Sequence, residues 1–224
     1  MNAVYNNSMH YHTTQLQRSI FAVGPTGVDK TFPGGGRDQL SSGAWAEYVP
    51  HWLSGHEALF DSLVDSIDWH VHRREMYERV VDVPRLTGSA PRSGAVLDPL
   101  LNEMAEALSA RYERGLTSIS FALYRDGNDR VAMHGDKMGR LRHDCVVAIV
   151  SLGAPRRFLL REVDGRGART YPFGWGDLLV MGGDCQATWR HGVPKARYAE
   201  PRLSIMFRQS LLGLGGRENQ PRGR

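Results

Sequence analysis

The feature that most constrains the fold is a change of pattern at Ser118. From there to Gln209 the chain consists of short segments of strand-forming residues, separated by turns that contain glycine or proline. No helical period runs through this stretch. Many short strands in one block predict a sandwich or a jelly roll. The predicted strands are Ser118–Tyr124, Cys145–Leu152, Arg157–Val163, Asp177–Met181 and Arg202–Gln209.

Two amphipathic helices are predicted before the strands. The first follows Ser54, which has the spacing of a capping box with Glu57, and the second begins at Asp98-Pro99. Helices followed by strands indicate an α+β protein, in which the strands form a sandwich or a jelly roll and the N-terminal helices pack on it. The apolar stripes are Leu59, Phe60, Leu63, Val64 and Ile67 in the first helix, and Leu101, Met104, Ala105, Leu108 and Tyr112 in the second.

The two ends of the chain differ from its middle. Residues 1–43 are polar and rich in glycine and proline, which predicts an extension with little core of its own. Residues 213–224 are rich in glycine and arginine, and we predict a disordered tail there. A single folded domain is therefore expected over residues 44–212, with its jelly-roll core at about 118–210.

Charge, cysteine content and the length of the apolar runs bear on the partners and the location of the protein. The net charge is +4, which permits a polyanionic partner without requiring one. The two cysteines form no C-x-x-C pair, so reduced thiols are favoured over a disulfide. The apolar runs are too short for a membrane span, and the N-terminus lacks the pattern of a secretory signal. We expect a cytoplasmic protein, with a monomer as the starting assumption.

A candidate metal site begins with His134-Gly135-Asp136. Residues two apart on a strand point the same way, so both side chains can face one ion. His191, just before the last strand, supplies a second imidazole. Two histidines and one carboxylate are the ligands of the facial triad that binds non-haem Fe(II). Zinc can use the same ligands, so the ligand types leave the metal open.

The last strand alternates between two chemical faces. Leu203, Ile205 and Phe207 form an apolar face, whereas Arg202 and Arg208 share the opposite one. Two arginines on one face can hold the two ends of a dicarboxylate. An exposed strand with two solvated arginines is the alternative. The preceding metal triad favours the dicarboxylate.

In this order, the segments resemble the AlkB-type 2-oxoglutarate- and iron(II)-dependent dioxygenases. The resemblance implies a double-stranded β-helix (jelly roll) core. It also implies an enzyme that uses Fe(II), 2-oxoglutarate and O2 and releases succinate, CO2 and aldehyde. It implies oxidative dealkylation of N-alkylated bases in DNA, a direct repair of alkylation damage. The matching segments are Tyr124–Gly127, His134-x-Asp136, Ser151–Gly153, Gly176–Met181, Trp189–Pro194 and Pro201–Arg208.

The resemblance also implies roles for individual residues. It makes His134, Asp136 and His191 the iron ligands. Arg202 would pair with the distal carboxylate of 2-oxoglutarate through its planar guanidinium. The other predicted cosubstrate residues are Tyr124, Ser204 and Arg208. Ala122 and Ser204 stand where the family often has asparagine, and only Ser204 can still donate a hydrogen bond.

The resemblance places a nucleotide lid at about residues 69–92. Arg79 and Arg85 are expected to contact phosphates there, and Tyr77 to lie close to the extruded base. Met138 stands where the family often has an acidic residue that touches the base, and it offers apolar packing instead. A charged hairpin packed on the jelly roll is the alternative for the lid. For the substrate, RNA, protein or a small metabolite are the alternatives to DNA.

Overall fold

The computed structural model describes residues 24–76, 79–89, 99–136, 138–139 and 143–210, without the side chains of residues 72–83. Tyr77, the side chain of Arg79, residues 1–23 and the predicted tail lie outside that description. Among the described residues, no helix is long and apolar enough to cross a membrane.

Two antiparallel sheets form the body of the protein, with elements numbered along the chain. The large sheet has eight strands in the spatial order β2 (Gly36–Gln39), β3 (Ala44–Val49), β12 (Asp177–Gly183), β9 (Val147–Gly153), β14 (Arg202–Arg208), β7 (Ser118–Tyr124), β6 (Arg79–Ser89) and β5 (His70–Met76). The small sheet has four, in the order β11 (Ala168–Phe173), β10 (Arg156–Glu162), β13 (Trp189–Val193) and β8 (Val131–His134). This is the predicted jelly-roll-like arrangement.

The remaining elements are short strands and three helices. β1 (Gly27–Val28) pairs with β4 (Leu53–Ser54) as a separate two-stranded sheet. The helices are α1 (His56–Ser66), α2 (Pro99–Tyr112) and α3 (Cys185–Thr188). All five predicted strands are present, and their ends agree to within two residues.

Two apolar cores lie on opposite faces of the large sheet. One joins α1 and α2 to the face that carries Leu203, Ile205 and Phe207 of β14. The other lies between the two sheets and includes Phe158 and Leu160 of β10. Strand β9 contributes to both, because alternate side chains point to opposite faces. The polar face of β14 therefore points into the protein between the sheets, which excludes the exposed-strand alternative.

The start of α1 differs from the prediction. Ser54 lies in β4, and its hydroxyl is within hydrogen-bond distance of the carbonyls of Pro25 and Gly27. The residue that caps the helix is Gly55, in the left-handed region with φ 57°, and no side chain caps it. The capping box of Ser54 and Glu57 is therefore wrong. Pairing of β4 with β1 holds Ser54 away from the helix.

Residues 24–43 contribute more than a polar extension would. They contain β1 and β2, and Phe32 is buried in the core beneath α2. The predicted lid is a hairpin of β5 and β6, and β6 pairs with β7. The hairpin thus extends the large sheet beyond β7, which is the strand that lies beside β14.

Candidate active site

The small sheet and the loop after β8 bring the three predicted metal ligands together. His134 and His191 are register partners across β8 and β13, and their ring centroids are 4.4 Å apart. Asp136 follows β8, and its Oδ1 is 4.0 Å from Nε2 of His191. The three residues each offer a ligand atom, all within 4.8 Å of one another. Two imidazoles and a carboxylate at this spacing can hold one divalent metal ion.

Both histidines present a nitrogen suited to a metal. Nδ1 of His134 is 2.9 Å from the Ala132 carbonyl. That contact favours the tautomer whose Nε2 keeps its lone pair. Burial lowers the pKa of His191 to about 3, with Asp136 opposing and nearby His134, Arg208 and Arg85 adding to the effect. His191 is therefore a neutral imidazole, the form that binds metals.

The positive charge of Arg208 keeps Asp136 in its ionised form. Burial alone would raise the pKa of Asp136, but the charge of the Arg208 guanidinium lowers it by more, so the pKa of Asp136 lies below its usual value. Arg208 reaches both carboxylate oxygens, at 3.2 Å from Nε to Oδ2 and 3.2 Å from Nη2 to Oδ1. The Asp136 backbone N–H donates to Oε1 of buried Gln186 at 2.7 Å. The metal-facing loop is thus fixed at both its backbone and its side chain.

Arg202 is a buried cation with two donor groups unused. Its side chain is almost inaccessible, at 1% exposure. Nε donates to the Ser151 hydroxyl at 2.7 Å, whereas Nη1 and Nη2 have no hydrogen-bond partner among the described residues. Burial lowers the pKa of Arg202 to about 10. A buried guanidinium with an open fork fits a carboxylate, which would accept two parallel hydrogen bonds.

Aromatic rings hold the Arg202 guanidinium in place. Its Cζ lies 5.1 Å from the ring centroid of Tyr124 and 5.1 Å from that of Phe173. The Tyr124 hydroxyl accepts a hydrogen bond from Nη1 of Arg85 at 2.9 Å. Tyr124 therefore links Arg202 to Arg85, which the family resemblance had predicted to contact phosphates.

One cavity of about 400 Å³ joins these groups. Its lining includes the metal triad, the three arginines Arg85, Arg202 and Arg208, and buried Ser204. Met138 is not among the lining residues that the structure describes. It is 2% exposed and packs in the core between the sheets. The apolar packing predicted for Met138 is therefore with the protein itself.

Three contacts of the site were absent from the sequence-based predictions. Arg208 was predicted to hold cosubstrate, and its observed carboxylate partner is Asp136. Gln186 carried no signal, since it lies in a four-residue helix far from Asp136 in sequence. Arg156 was also missed. It donates to the carbonyls of Asp126, Asp129 and Pro194 and fixes the loops beside Tyr124.

Fold and site together define a class of protein. Two antiparallel sheets enclose a His-Asp-His cluster and a buried arginine that lines the same cavity. These are the parts of a jelly-roll oxygenase that uses a non-haem metal and an acidic cosubstrate.

Comparison with known proteins specifies the family. Residues 47–209 match the model of the 2OG-Fe(II) oxygenase superfamily, and the chain belongs to that superfamily. Its cofactor and cosubstrates are therefore Fe(II), 2-oxoglutarate and O2.

The chain spans about half to two thirds of the length of the relatives that it matches. The chain is 28% identical to the alpha-ketoglutarate-dependent dioxygenase alkB homolog 3 of Bos taurus, over 70% of this chain and 62% of that protein. It is 28% identical to the DNA oxidative demethylase ALKBH2 of Homo sapiens, over 51% of this chain and 47% of that protein. The solved structure of OsALKBH1 is similar in fold, with 17% identity, a TM-score of 0.51 and coverage of 78% of this chain and 100% of that chain.

Proposed function

We propose that this dioxygenase removes N-alkyl groups from bases in DNA. The observation that carries the proposal is a cavity that both Arg202 and the metal triad line, with two nitrogens of Arg202 that have no hydrogen-bond partner among the described residues. A volume of about 400 Å³ suits a small cosubstrate together with one extruded base. A relative named as a DNA oxidative demethylase supports the choice of substrate.

The cofactors have defined positions in this proposal. His134, Asp136 and His191 would hold Fe(II), and Arg202 would bind the distal carboxylate of 2-oxoglutarate. When bound, Fe(II), 2-oxoglutarate and O2 supply an oxidation in which decarboxylation to succinate accompanies hydroxylation of the N-alkyl carbon. The hydroxylated base then releases the alkyl group as aldehyde.

The protein's own residues orient these groups and shield them. The Phe158 ring stacks on His191, with centroids 5.6 Å apart and an angle of 12° between the planes. This ring covers one face of the imidazole and limits the access of water. Arg208 keeps Asp136 ionised, and Ser151 orients the Arg202 fork. Tyr124 lies between Arg202 and Arg85, at the side of the cavity that the β5–β6 hairpin borders.

The proposal is tested with single-stranded DNA and RNA oligonucleotides that carry N-methylated bases. Each is incubated with the protein, Fe(II), ascorbate and 2-oxoglutarate and analysed by mass spectrometry. We expect loss of the methyl group from DNA, with succinate and formaldehyde formed in the same samples. Demethylation of RNA alone would replace DNA as the substrate. Succinate without demethylation of any oligonucleotide would refute the proposal.

A further inference from the structure

The charge of the cavity bears on which alkylated bases it accepts. We propose that it selects uncharged alkylated bases with a carbonyl oxygen at C4 of a pyrimidine or C6 of a purine over cationic ones with an amine at that position. This inference rests on the dealkylase function proposed above. N3-methylthymine and N1-methylguanine are of the first kind. N3-methylcytosine and N1-methyladenine are of the second, since alkylation of their ring nitrogen creates a positive charge at neutral pH.

Basic groups outnumber acidic ones around the cavity. Among the lining residues that the structure describes, three arginines face a single carboxylate, that of Asp136. The two positive charges of Fe(II) and the two negative charges of 2-oxoglutarate cancel. Three arginines against one aspartate leave two positive charges. A cationic base would add a third like charge in a partly buried space, where charges are poorly screened.

Segments that adjoin the lining residues in sequence, but whose side chains the structure does not describe, carry no net negative charge. Residues 72–83 of the hairpin contain three arginines and three acidic residues, which cancel. Residues 137–142 contain one lysine and two arginines and no acidic residue. By sequence, these segments add basic charge or none.

Arg85 supplies the group that would recognise the carbonyl. Its Nη1 donates to Tyr124, and its Nε is buried without a hydrogen-bond partner in the described part of the chain. A guanidinium offers donors only. A carbonyl oxygen at C4 or C6 of the base can accept from it, whereas an amine at that position presents a donor to a donor. The Asp136 carboxylate cannot compensate, because Arg208 already engages both of its oxygens.

A competition experiment isolates this preference. Two single-stranded DNA oligonucleotides of otherwise identical sequence carry N3-methylthymine or N3-methylcytosine and react in one tube. The methyl group sits on the same ring atom in both, so the bases differ mainly in charge and in the group at position 4. We expect demethylation of the thymine lesion to be faster by roughly tenfold or more in kcat/KM.

Variants of Arg85 test the cause. Arg85→Gln should move the ratio toward one, and Arg85→Glu should move it toward the cationic lesion. The matched control is Arg130→Gln, which removes the same charge from an exposed arginine that is not among the lining residues. We expect it to keep the wild-type ratio. Because both lesions compete for the same enzyme, the ratio does not depend on how much of a variant is active.

The outcomes separate this inference from the function on which it rests. Equal rates, or faster demethylation of the cytosine lesion, would overturn the preference and leave DNA dealkylation supported. A wild-type preference that survives unchanged in Arg85→Gln would overturn the role of Arg85. Formation of succinate with neither lesion demethylated would overturn both the inference and the proposed function.

Discussion

Replacing Arg202 with methionine is expected to stabilise the protein without cosubstrate and to abolish its response to 2-oxoglutarate. In the wild type, the guanidinium is buried, and two of its nitrogens have no hydrogen-bond partner among the described residues. Such a group costs stability until a carboxylate joins it. Methionine follows a similar path as an unbranched apolar chain and carries no charge.

The magnitude follows from the contacts of Arg202. Burial lowers the pKa of Arg202 to about 10, which corresponds to a cost of about 3 kcal/mol for the buried charge. The hydrogen bond to Ser151 and the ring contacts with Tyr124 and Phe173 offset about 2 kcal/mol of that cost. Arg202→Met should therefore raise the free energy of unfolding by about 1 kcal/mol.

The assay is urea denaturation of the metal-free protein, followed by thermal unfolding under nitrogen with Fe(II), with and without 2-oxoglutarate. The wild type should gain thermal stability from 2-oxoglutarate, because the ligand binds only the folded state. Arg202→Met should gain none. Arg161→Met, at an exposed position of β10, serves as the control and should behave as wild type. A metal-free Arg202→Met protein that is less stable than wild type would refute the reasoning.

Three further substitutions test other contacts. Asp136→Ala removes the carboxylate of the triad, so iron content and turnover should collapse while circular dichroism stays unchanged; full activity would contradict the triad. Arg156→Gln should cost about 3 kcal/mol in urea denaturation, because a charged donor to three carbonyls is lost, whereas exposed Arg157→Gln should cost little; equal costs would contradict this role. Burial lowers the pKa of His56 in the folded protein. The neutral imidazole therefore stabilises the fold at a pH above the pKa of histidine in the unfolded chain, and this contribution is lost as the pH falls below that pKa. His56→Leu should therefore flatten the loss of stability between about pH 7 and pH 5, by at most about 1.4 kcal/mol per pH unit; an unchanged slope in urea denaturation would contradict this.

Local alternation was enough to predict the strands and the face of Arg202. The even spacing of Arg202 and Arg208 on β14 places both on one face whatever the tertiary fold. The continuous apolar run in β9 is explained by burial on both faces, against the helices on one side and the small sheet on the other. Such patterns depend on the strand itself, so they are readable in sequence.

Contacts between distant segments were not predictable in the same way. The pairing of Arg208 with Asp136 depends on how the small sheet faces β14, a separation of 72 residues. Arg85 faces Tyr124 because β6 pairs with β7 in the large sheet. The sequence of the hairpin does not indicate the register of that pairing. The wrong capping box has a similar origin, since pairing of β4 with β1 overrides the local preference of Ser54.

A crystal structure with Fe(II) and 2-oxoglutarate, grown under nitrogen, tests the central assignment most directly. Without O2 the two ligands bind but do not react. We expect one metal ion bound by His134, Asp136 and His191, and the distal carboxylate of 2-oxoglutarate paired with Nη1 and Nη2 of Arg202. Metal bound elsewhere, or a distal carboxylate that leaves the Arg202 nitrogens without a partner, would contradict the assignment.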